Sequence, residues 1–173
     1  MTLRHPLRVP PSWTIWLWGR RPHVTLLRAA VLGTLLYLTG RFAFPPVHVS
    51  GLSMEPTIHD GAWRIGNKLK FMSRDPQRGE LVMVSMAGWR AFYLKRVLGL
   101  PGETIAFKNG ALLINGRTTA EPYLTGGDDN WNLSPMHVPE GEYFVAGDNR
   151  AVPLPLHTAG LTRRSDIAGG LLW

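Results

Sequence analysis

Residues 91–117 read AFYLKRVLGLPGETIAFKNGALLINGR, and this stretch decides the fold class. Its apolar side chains alternate with other side chains in short runs, a period of two that is typical of β-strands. The pairs Asn109-Gly110 and Asn115-Gly116 separate these runs. Asn and Gly both accept the positive φ that tight hairpin turns require. We therefore predict a β-hairpin over residues 103–117.

The same alternating sequence pattern continues through most of the chain after Pro46. Short alternating runs are separated by Gly, Asn, Asp and Pro, which predicts a mainly β, antiparallel domain over residues 45–173. Residues 118–139 are predicted to be a long exposed loop or an irregular inserted lobe. The expected strands span residues 47–50, 62–69, 80–86, 91–97, 104–107, 111–114 and 142–146.

The N-terminal part is different, because residues 24–40, VTLLRAAVLGTLLYLTG, are apolar apart from Arg28. Extended to residue 44 the stretch reaches 21 residues. As a helix it would be about 30 Å long, which matches the hydrocarbon thickness of a bilayer. We therefore predict one transmembrane helix over residues 24–44, ended by Pro45 and Pro46.

Positive charge is concentrated around this segment. The 173-residue chain has a formal net charge of +7, yet 13 basic residues face 12 acidic ones from Phe42 onward. A near-neutral body argues against a nucleic acid as partner. The basic leader, residues 1–23, favours a lipid bilayer and contains tryptophans suited to the membrane interface, Trp13, Trp16 and Trp18.

Arginines also predict the orientation of the anchor. Five arginines precede its apolar centre and only Arg41 follows it. The positive-inside rule then predicts a single-pass protein of the cell (inner) membrane, with a cytoplasmic N-terminus and an extracytoplasmic body. Two alternatives remain. A cleaved signal peptide needs a small-x-small site, where this chain has Arg41 and Phe42. A buried core helix is the other, because the uninterrupted part, residues 29–40, is only twelve residues long.

A serine lies on a predicted turn within residues 49–61, VSGLSMEPTIHDG. Gly51 permits unusual backbone angles ahead of Ser53, and Pro56 biases Glu55 towards extended geometry. Such a turn can present a hydroxyl and a backbone N–H to a groove. Most serines in Gly- and Pro-rich loops are only polar turn residues, so the local pattern leaves both interpretations open.

A lysine lies within the predicted strand 91–97. Alternation places Lys95 on one face with Tyr93 and Val97. An ammonium that leaves water has its pKa lowered from about 10.4, and a neutral lysine can act as a general base. With a serine it would form a Ser/Lys dyad for acyl transfer. The alternative is a lysine that extends to the rim of an edge strand.

Other chemistry has little support in the sequence. The chain has no Cys, and its His, Asp and Glu residues lack metal-ligand spacing. It also has neither a Walker loop nor a dinucleotide fingerprint, so we expect no metal and no cofactor. Residues 147–150, Gly-Asp-Asn-Arg, follow the strand 142–146. We predict a turn in which Asp148 holds backbone N–H groups and Arg150 pairs with a carboxylate.

Three of these segments, in this order, resemble type I signal peptidases, the membrane-anchored Ser/Lys proteases that remove signal peptides from exported proteins. Residues 53–57, Ser-Met-Glu-Pro-Thr, resemble the nucleophile box of the family, Ser-Met-x-Pro-Thr. Residues 95–103 resemble its Lys-Arg-Val-x-Gly-x-Pro-Gly-Asp/Glu box, and residues 147–150 the start of a third box. The resemblance implies an antiparallel β catalytic domain with a small inserted lobe at about residues 103–140.

The resemblance also implies roles for individual residues. Ser53 is the implied nucleophile and Lys95 the implied general base. The backbone N–H of Ser53 is the implied oxyanion donor. Some family members use a side-chain hydroxyl as the second donor, at the position of Gly51 here, so the backbone of Gly51 or the hydroxyl of Ser50 would have to serve. The implied substrates are preproteins with signal peptides, and we expect a monomer.

The chain departs from the family in the third box. That box continues in the family to a serine that hydrogen-bonds the lysine, and then to Asp-Ser-Arg, where this chain has Pro153, Pro155, Leu156 and His157. Lys95 must then be oriented by another hydroxyl, a backbone carbonyl or water, or the protein is a weakened or inactive relative.

Three alternative functions remain. One is a self-cleaving repressor, a soluble protein with a DNA-binding module. Another is a plasmid-transfer or organelle peptidase of the same family. The third is an anchored β module that binds extended peptides without cutting them.

Overall fold

The computed structural model describes residues 21–86, 91–124, 130–154 and 160–172. Several residues singled out from the sequence lie outside these ranges: Trp13, Trp16, Trp18, Pro155, Leu156 and His157. The chain divides into two units, residues 1–41 and residues 42–173.

The first unit contributes most of one long helix, α1, Pro22–Ala43. Leu and Ala dominate it, and both are good helix formers. Within it, His23–Ala43 is long and apolar enough to cross a membrane, and none of its apolar window is buried. The alternative of a buried core helix is therefore wrong. The helix ends just before Pro45 and Pro46, which cannot continue it.

The described part of the second unit forms eleven strands. In chain order they are β1 Pro46–His48, β2 Trp63–Asn67, β3 Leu81–Met86, β4 Ala91–Gly99, β5 Thr104–Lys108, β6 Ala111–Ile114, β7 Arg117–Thr118, β8 Leu133–His137, β9 Glu142–Ala146, β10 Gly160–Arg163 and β11 Ile167–Leu171. A seven-stranded sheet has the order β1-β2-β11-β3-β4-β9-β10, and a four-stranded sheet has the order β7-β6-β5-β8. All strand pairs are antiparallel, as the sequence predicts.

The predicted hairpin is confirmed. β5 pairs with β6 across Asn109-Gly110, and β6 pairs with β7 across Asn115-Gly116. Asn109 and Asn115 have φ values of 49° and 51°, the left-handed backbone expected of these turns. All seven strands expected from alternation are present, with ends that differ by two residues at most. Alternation therefore locates half-buried strands well.

Of the two alternatives for residues 118–139, the exposed loop is wrong, because part of this segment belongs to the smaller sheet, as an inserted lobe would. Leu133–His137 forms β8, which pairs with β5, and Trp131 is completely buried in the core of the smaller sheet. Pro135 lies within β8 and argues against a central strand. Since β8 is at the edge of its sheet, Pro135 is tolerated there.

The sequence does not predict β11, because the Gly169-Gly170 pair within this strand is typical of a turn. This strand nevertheless lies inside the larger sheet, between β2 and β3. A Cβ atom on Gly169 would lie 2.3 Å from the carbonyl oxygen of Asn67 and 2.7 Å from Cα of Lys68. Glycine is required here by the close approach of another backbone segment, a recognised reason for glycine within a strand.

Candidate active site

Ser53 lies on a single 3₁₀ turn, Leu52–Met54, that begins after Gly51. Gly51 has φ 106°, which disfavours any side chain at that position. Met54 is buried in the same core cluster as Leu81, Met83 and Leu94, so it anchors the turn to the larger sheet. Ser53 itself is half-buried. Its position is thus set by a packed neighbour.

Hydrogen bonds close the loop that carries this turn. The N–H of Val49 donates to the carbonyl of Ala62, and the N–H of Gly61 donates to the carbonyl of Val49, both at 2.9 Å. Within the loop, the N–H of Ile58 donates to the carbonyl of Met54 at 2.9 Å. Hydrogen bonds therefore join the two ends of the loop, and a further one stabilises the segment that follows Ser53.

Lys95 lies in the middle of β4 and is only 1% exposed. Because β4 lies between β3 and β9, the alternative of a lysine at the rim of an edge strand is wrong. Its Nζ is 5.6 Å from the centre of the Tyr93 ring, which confirms that these two side chains share a face. Val82, which pairs with Lys95 across the sheet, is completely buried and apolar.

This environment lowers the pKa of Lys95. Burial is the main cause, because removal from water disfavours the charged ammonium. The charge of Asp148 acts in the opposite direction. Across the described parts of the chain, no acceptor makes a hydrogen bond with Nζ, and none joins it to Ser53.

The turn after β9, residues 147–150, contacts Ser53 and also Arg96, the residue that follows Lys95. The backbone N–H of Asn149 donates to the carbonyl of Ser53, and its side-chain amide donates to the carbonyl of Leu52, both at 3.0 Å. The preceding residue, Asp148, accepts two hydrogen bonds from Arg96, the residue after Lys95. One turn therefore holds the serine loop and the lysine strand.

The predicted partners of this turn are partly corrected. Among the residues that the structure describes, the partners of Asp148 are side chains and not backbone N–H groups. Its Oδ1 and Oδ2 atoms lie 2.8 and 2.6 Å from Arg96 nitrogens, and Oδ2 lies 2.5 Å from the hydroxyl of Thr57. The predicted pairing of Arg150 with a carboxylate is confirmed, because Arg150 binds both carboxylate oxygens of Glu121 at 2.5 and 3.0 Å.

Arg96 has further contacts that the sequence did not indicate. It donates to the carbonyl of Gly79 at 2.6 Å, and its guanidinium carbon lies 3.8 Å from the centre of the Tyr123 ring. The Tyr123 hydroxyl donates to Glu121 at 2.5 Å. Thr57 belongs to the nucleophile box and was within reach of sequence reasoning. Tyr123 and Glu121 lie in a segment interpreted as a loop, with no pattern to mark them.

The expected oxyanion donors have different surroundings. The N–H of Gly51 donates to Asp60 Oδ1 at 2.8 Å, so a role for it as a donor competes with this hydrogen bond. Ser50, the alternative, is exposed. Pro153 occupies the position of the family serine and is exposed too. Among the residues that the structure describes, no group of three or more His, Asp and Glu could hold a metal ion.

The structure therefore combines an antiparallel β fold, a serine on a short turn and a buried lysine, and comparison with known proteins identifies the family. The chain belongs to the family described as signal peptidase, peptidase S26, whose model matches residues 23–171. It is 38% identical to signal peptidase I of Bacillus amyloliquefaciens over 148 aligned residues, and the alignment covers 80% of this chain and 73% of the relative.

A second relative and one solved structure are also similar to this chain. Signal peptidase I T of Bacillus subtilis (strain 168) is 40% identical over 133 residues, 71% of this chain and 69% of the relative. The crystal structure of a signal peptidase I from Enterococcus faecalis V583 aligns with 57% of this chain and 98% of its own, at 26% identity and a TM-score of 0.46.

Proposed function

We propose that this protein is a signal peptidase I-like serine endopeptidase, which removes N-terminal signal peptides from exported preproteins. Its family and its named relatives support the reaction class. The observation that carries the proposal is the burial of Lys95, at 1% exposure, on a strand tied to the same turn as Ser53. A buried amine is the group that can accept a serine proton near neutral pH.

In the proposed mechanism, neutral Lys95 accepts the proton of the Ser53 hydroxyl, and Ser53 Oγ attacks the carbonyl carbon of the scissile peptide bond. The backbone N–H of Ser53 stabilises the resulting oxyanion, an effect worth about 3–4 kcal/mol per donor in other proteases. The C–N bond then breaks, and Lys95 gives its proton to the leaving amine. Lys95 next removes a proton from a water molecule, whose oxygen attacks the acyl carbon. The ester C–O bond then breaks, and Lys95 returns the proton to Ser53 Oγ, which restores the free enzyme.

Lys95 performs these steps without the serine that orients the lysine in the family. Val82, which pairs with Lys95 across the sheet, and Val97, two residues further along β4, are both completely buried, so the aliphatic stem of Lys95 lies in a packed environment. A packed side chain in one rotamer needs little further orientation. This packing supports an active enzyme despite Pro153.

The substrate and the membrane complete the proposal. An extended preprotein segment lies along a groove beside Ser53 and is cut after small residues. Helix α1 anchors the protein in the bilayer, with the N-terminus in the cytoplasm and the β domain outside. The protein acts as a monomer with no nucleic acid partner.

A second candidate is a weakened relative that binds extended peptides without cutting them. The specific observation in its favour is that, within the described residues, Lys95 has no hydrogen-bond acceptor. The two candidates differ in whether Ser53 becomes acylated, and labelling with an active-site serine acylator distinguishes them.

The proposal is tested by cleavage of a preprotein in detergent. Ser53→Ala and Lys95→Ala each abolish cleavage, while circular dichroism shows an unchanged fold. Lys95→Arg does not restore activity, because a guanidinium stays charged in proteins. Lys108→Ala, at an exposed position on β5, is the matched control and cleaves normally. Normal processing by either Ser53→Ala or Lys95→Ala refutes the dyad.

A further inference from the structure

Arg150 lies at the end of the turn after β9 and is only 4% exposed. It binds both carboxylate oxygens of Glu121, at 2.5 and 3.0 Å. Its guanidinium carbon also lies 4.7 Å from the centre of the Trp131 ring and 5.4 Å from the centre of the Phe107 ring. Both rings belong to the core of the smaller sheet. The side chain of Arg150 therefore attaches this turn to the smaller sheet and to Glu121.

The carboxylate of Glu121 is itself fixed by a neighbouring side chain. Glu121 lies in the chain between β7 and β8, and the hydroxyl of Tyr123 donates to the same carboxylate at 2.5 Å. A second attachment lies just after the turn, where the indole N–H of Trp131 donates to the carbonyl of Val152 at 2.9 Å. The chain that follows β9 is therefore attached at two points to residues of the smaller sheet and its connections.

The residue before Arg150 faces the serine loop. The backbone N–H of Asn149 donates to the carbonyl of Ser53, and its side-chain amide donates to the carbonyl of Leu52. The Oδ1 atom of the same side chain accepts from the N–H of Ala151 at 3.2 Å, which orients the amide. One peptide bond thus joins the residue that binds Glu121 to the residue that binds Ser53. A displacement of Arg150 therefore moves the donors that hold the serine loop.

The Arg150–Glu121 pair is nearly removed from water, with side-chain exposures of 3% and 7%. Loss of one partner from such a pair leaves the other charge buried without compensation, which is strongly unfavourable. The remaining arginine then moves towards water or admits water to its site, and the backbone that carries it moves too. A pair needed only for folding would lower stability and nothing else. Because this pair is one residue from the donors to the serine loop, its loss also has an effect at Ser53.

We propose that Glu121 is a positioning residue for Ser53, which it holds through Arg150 and Asn149. The smaller sheet thereby contributes to the position of a serine that lies on a loop of the larger sheet. Glu121 takes no part in the bond changes of the reaction. The effect on cleavage rests on the proposed Ser53/Lys95 chemistry, whereas the effect on the position of the serine loop does not.

The test measures amide hydrogen exchange of the full-length protein in detergent, by mass spectrometry of its peptides. Glu121→Gln keeps the shape of the side chain and removes its charge. We expect the peptide that covers residues 49–58 to exchange about tenfold faster in this variant, because the serine loop opens more often. In preprotein cleavage we expect kcat and kcat/KM to fall together, the pattern of an interaction needed in the transition state.

A control and a conservative variant make the result specific. Glu80 also binds an arginine through both carboxylate oxygens, Arg74 at 2.7 and 2.8 Å, but on the larger sheet. Glu80→Gln therefore leaves the exchange of residues 49–58 unchanged. Glu121→Asp keeps the charge and avoids an unpaired arginine, so we expect exchange between that of the parent and that of Glu121→Gln. If Glu121→Gln does not fold, Glu121→Asp tests the same attachment.

Faster exchange that is confined to residues 118–124 and 147–152, with residues 49–58 unchanged in a folded variant, overturns the inference and leaves Glu121 a structural role only. Exchange does not depend on cleavage, so the two proposals can fail separately. If residues 49–58 exchange faster as expected while Ser53→Ala still cleaves preprotein, the inference stands and the proposed function fails.

Discussion

The backbone N–H of Asn149 donates to the carbonyl oxygen of Ser53 across 3.0 Å. The residue before Asn149 is Asp148, which binds the residue after Lys95. These two neighbours in one turn therefore connect the serine loop to the lysine strand, although Ser53 and Lys95 are more than forty positions apart in the chain. A movement of this turn would therefore change the relative positions of Ser53 and Lys95.

The first prediction concerns the side chain of Asn149. Asn149→Ala removes the donor to the carbonyl of Leu52 and loosens the turn that carries Ser53. We expect kcat for preprotein cleavage to fall about three- to tenfold, the effect of one hydrogen bond of about 1 kcal/mol. Asn132→Ala is the matched control, because Asn132 accepts from the N–H of Asn109 in the smaller sheet. Equal losses of kcat in the two variants would contradict the role of the turn.

The second prediction concerns stability at neutral pH. Because burial lowers the pKa of Lys95, the folded protein holds this proton less tightly than the unfolded chain. Between the folded pKa and the unfolded value of about 10.4, folding releases a proton, so stability rises with pH through that window. Lys95→Met avoids this cost. We expect a higher Tm than the parent at pH 7, and a smaller gain near pH 10.

Thermal melts of the two proteins in detergent, at several pH values, check this prediction. Lys108→Met, at an exposed position, leaves the Tm unchanged across the same range. A Lys95→Met variant that melts below the parent at pH 7 would mean that the amine is solvated or well paired.

The third prediction concerns membrane topology. The chain has no Cys, so single cysteines can be introduced without removing others. A membrane-impermeant maleimide added to intact cells or spheroplasts labels Ser165→Cys, an exposed position of the β domain. It labels Ser12→Cys only after the membrane is permeabilised. The reverse pattern would show the opposite orientation.

Extraction by alkaline carbonate would favour a soluble protein such as a self-cleaving repressor.

The fourth prediction concerns Gly169 in β11. An added methyl group collides with the backbone of Asn67 and Lys68, and backbone cannot move as a side chain can. We expect Gly169→Ala to lower the free energy of unfolding by about 1–3 kcal/mol, as overpacking does in other cores. Gly160→Ala is the control, since Gly160 also has a positive φ, 142°, but open space around it. Similar losses in both variants would leave backbone strain as the whole cause.

Much of this fold follows from local sequence patterns. Alternation and the two Asn-Gly pairs predict seven strands and the hairpin, because each signal acts within a few residues. Two strands, β8 and β11, are not predicted, because Pro135 and Gly169 are untypical of strand interiors. The edge position of β8 and the close approach of the Asn67 and Lys68 backbone to Gly169 are properties of the assembled sheets. No local pattern contains this information.

The candidate site likewise contains some residues that the sequence predicts and others that it does not. Ser53 and Lys95 stand out because they lie in motifs that the family shares, and alternation gives the face of Lys95. The Thr57, Tyr123 and Glu121 contacts join segments that are distant in the chain. Long-range contacts of side chains leave no periodic trace in a single sequence, so only the folded chain shows them.

The most direct test of the central claim is the labelling of Ser53 by an active-site serine acylator, followed by mass spectrometry of the modified peptide. A single adduct on Ser53 is expected in the parent protein, with no adduct in Ser53→Ala and almost none in folded Lys95→Met. An adduct on Ser53 that forms equally fast without Lys95, or no adduct in the parent protein, would contradict catalysis by a buried lysine and a serine.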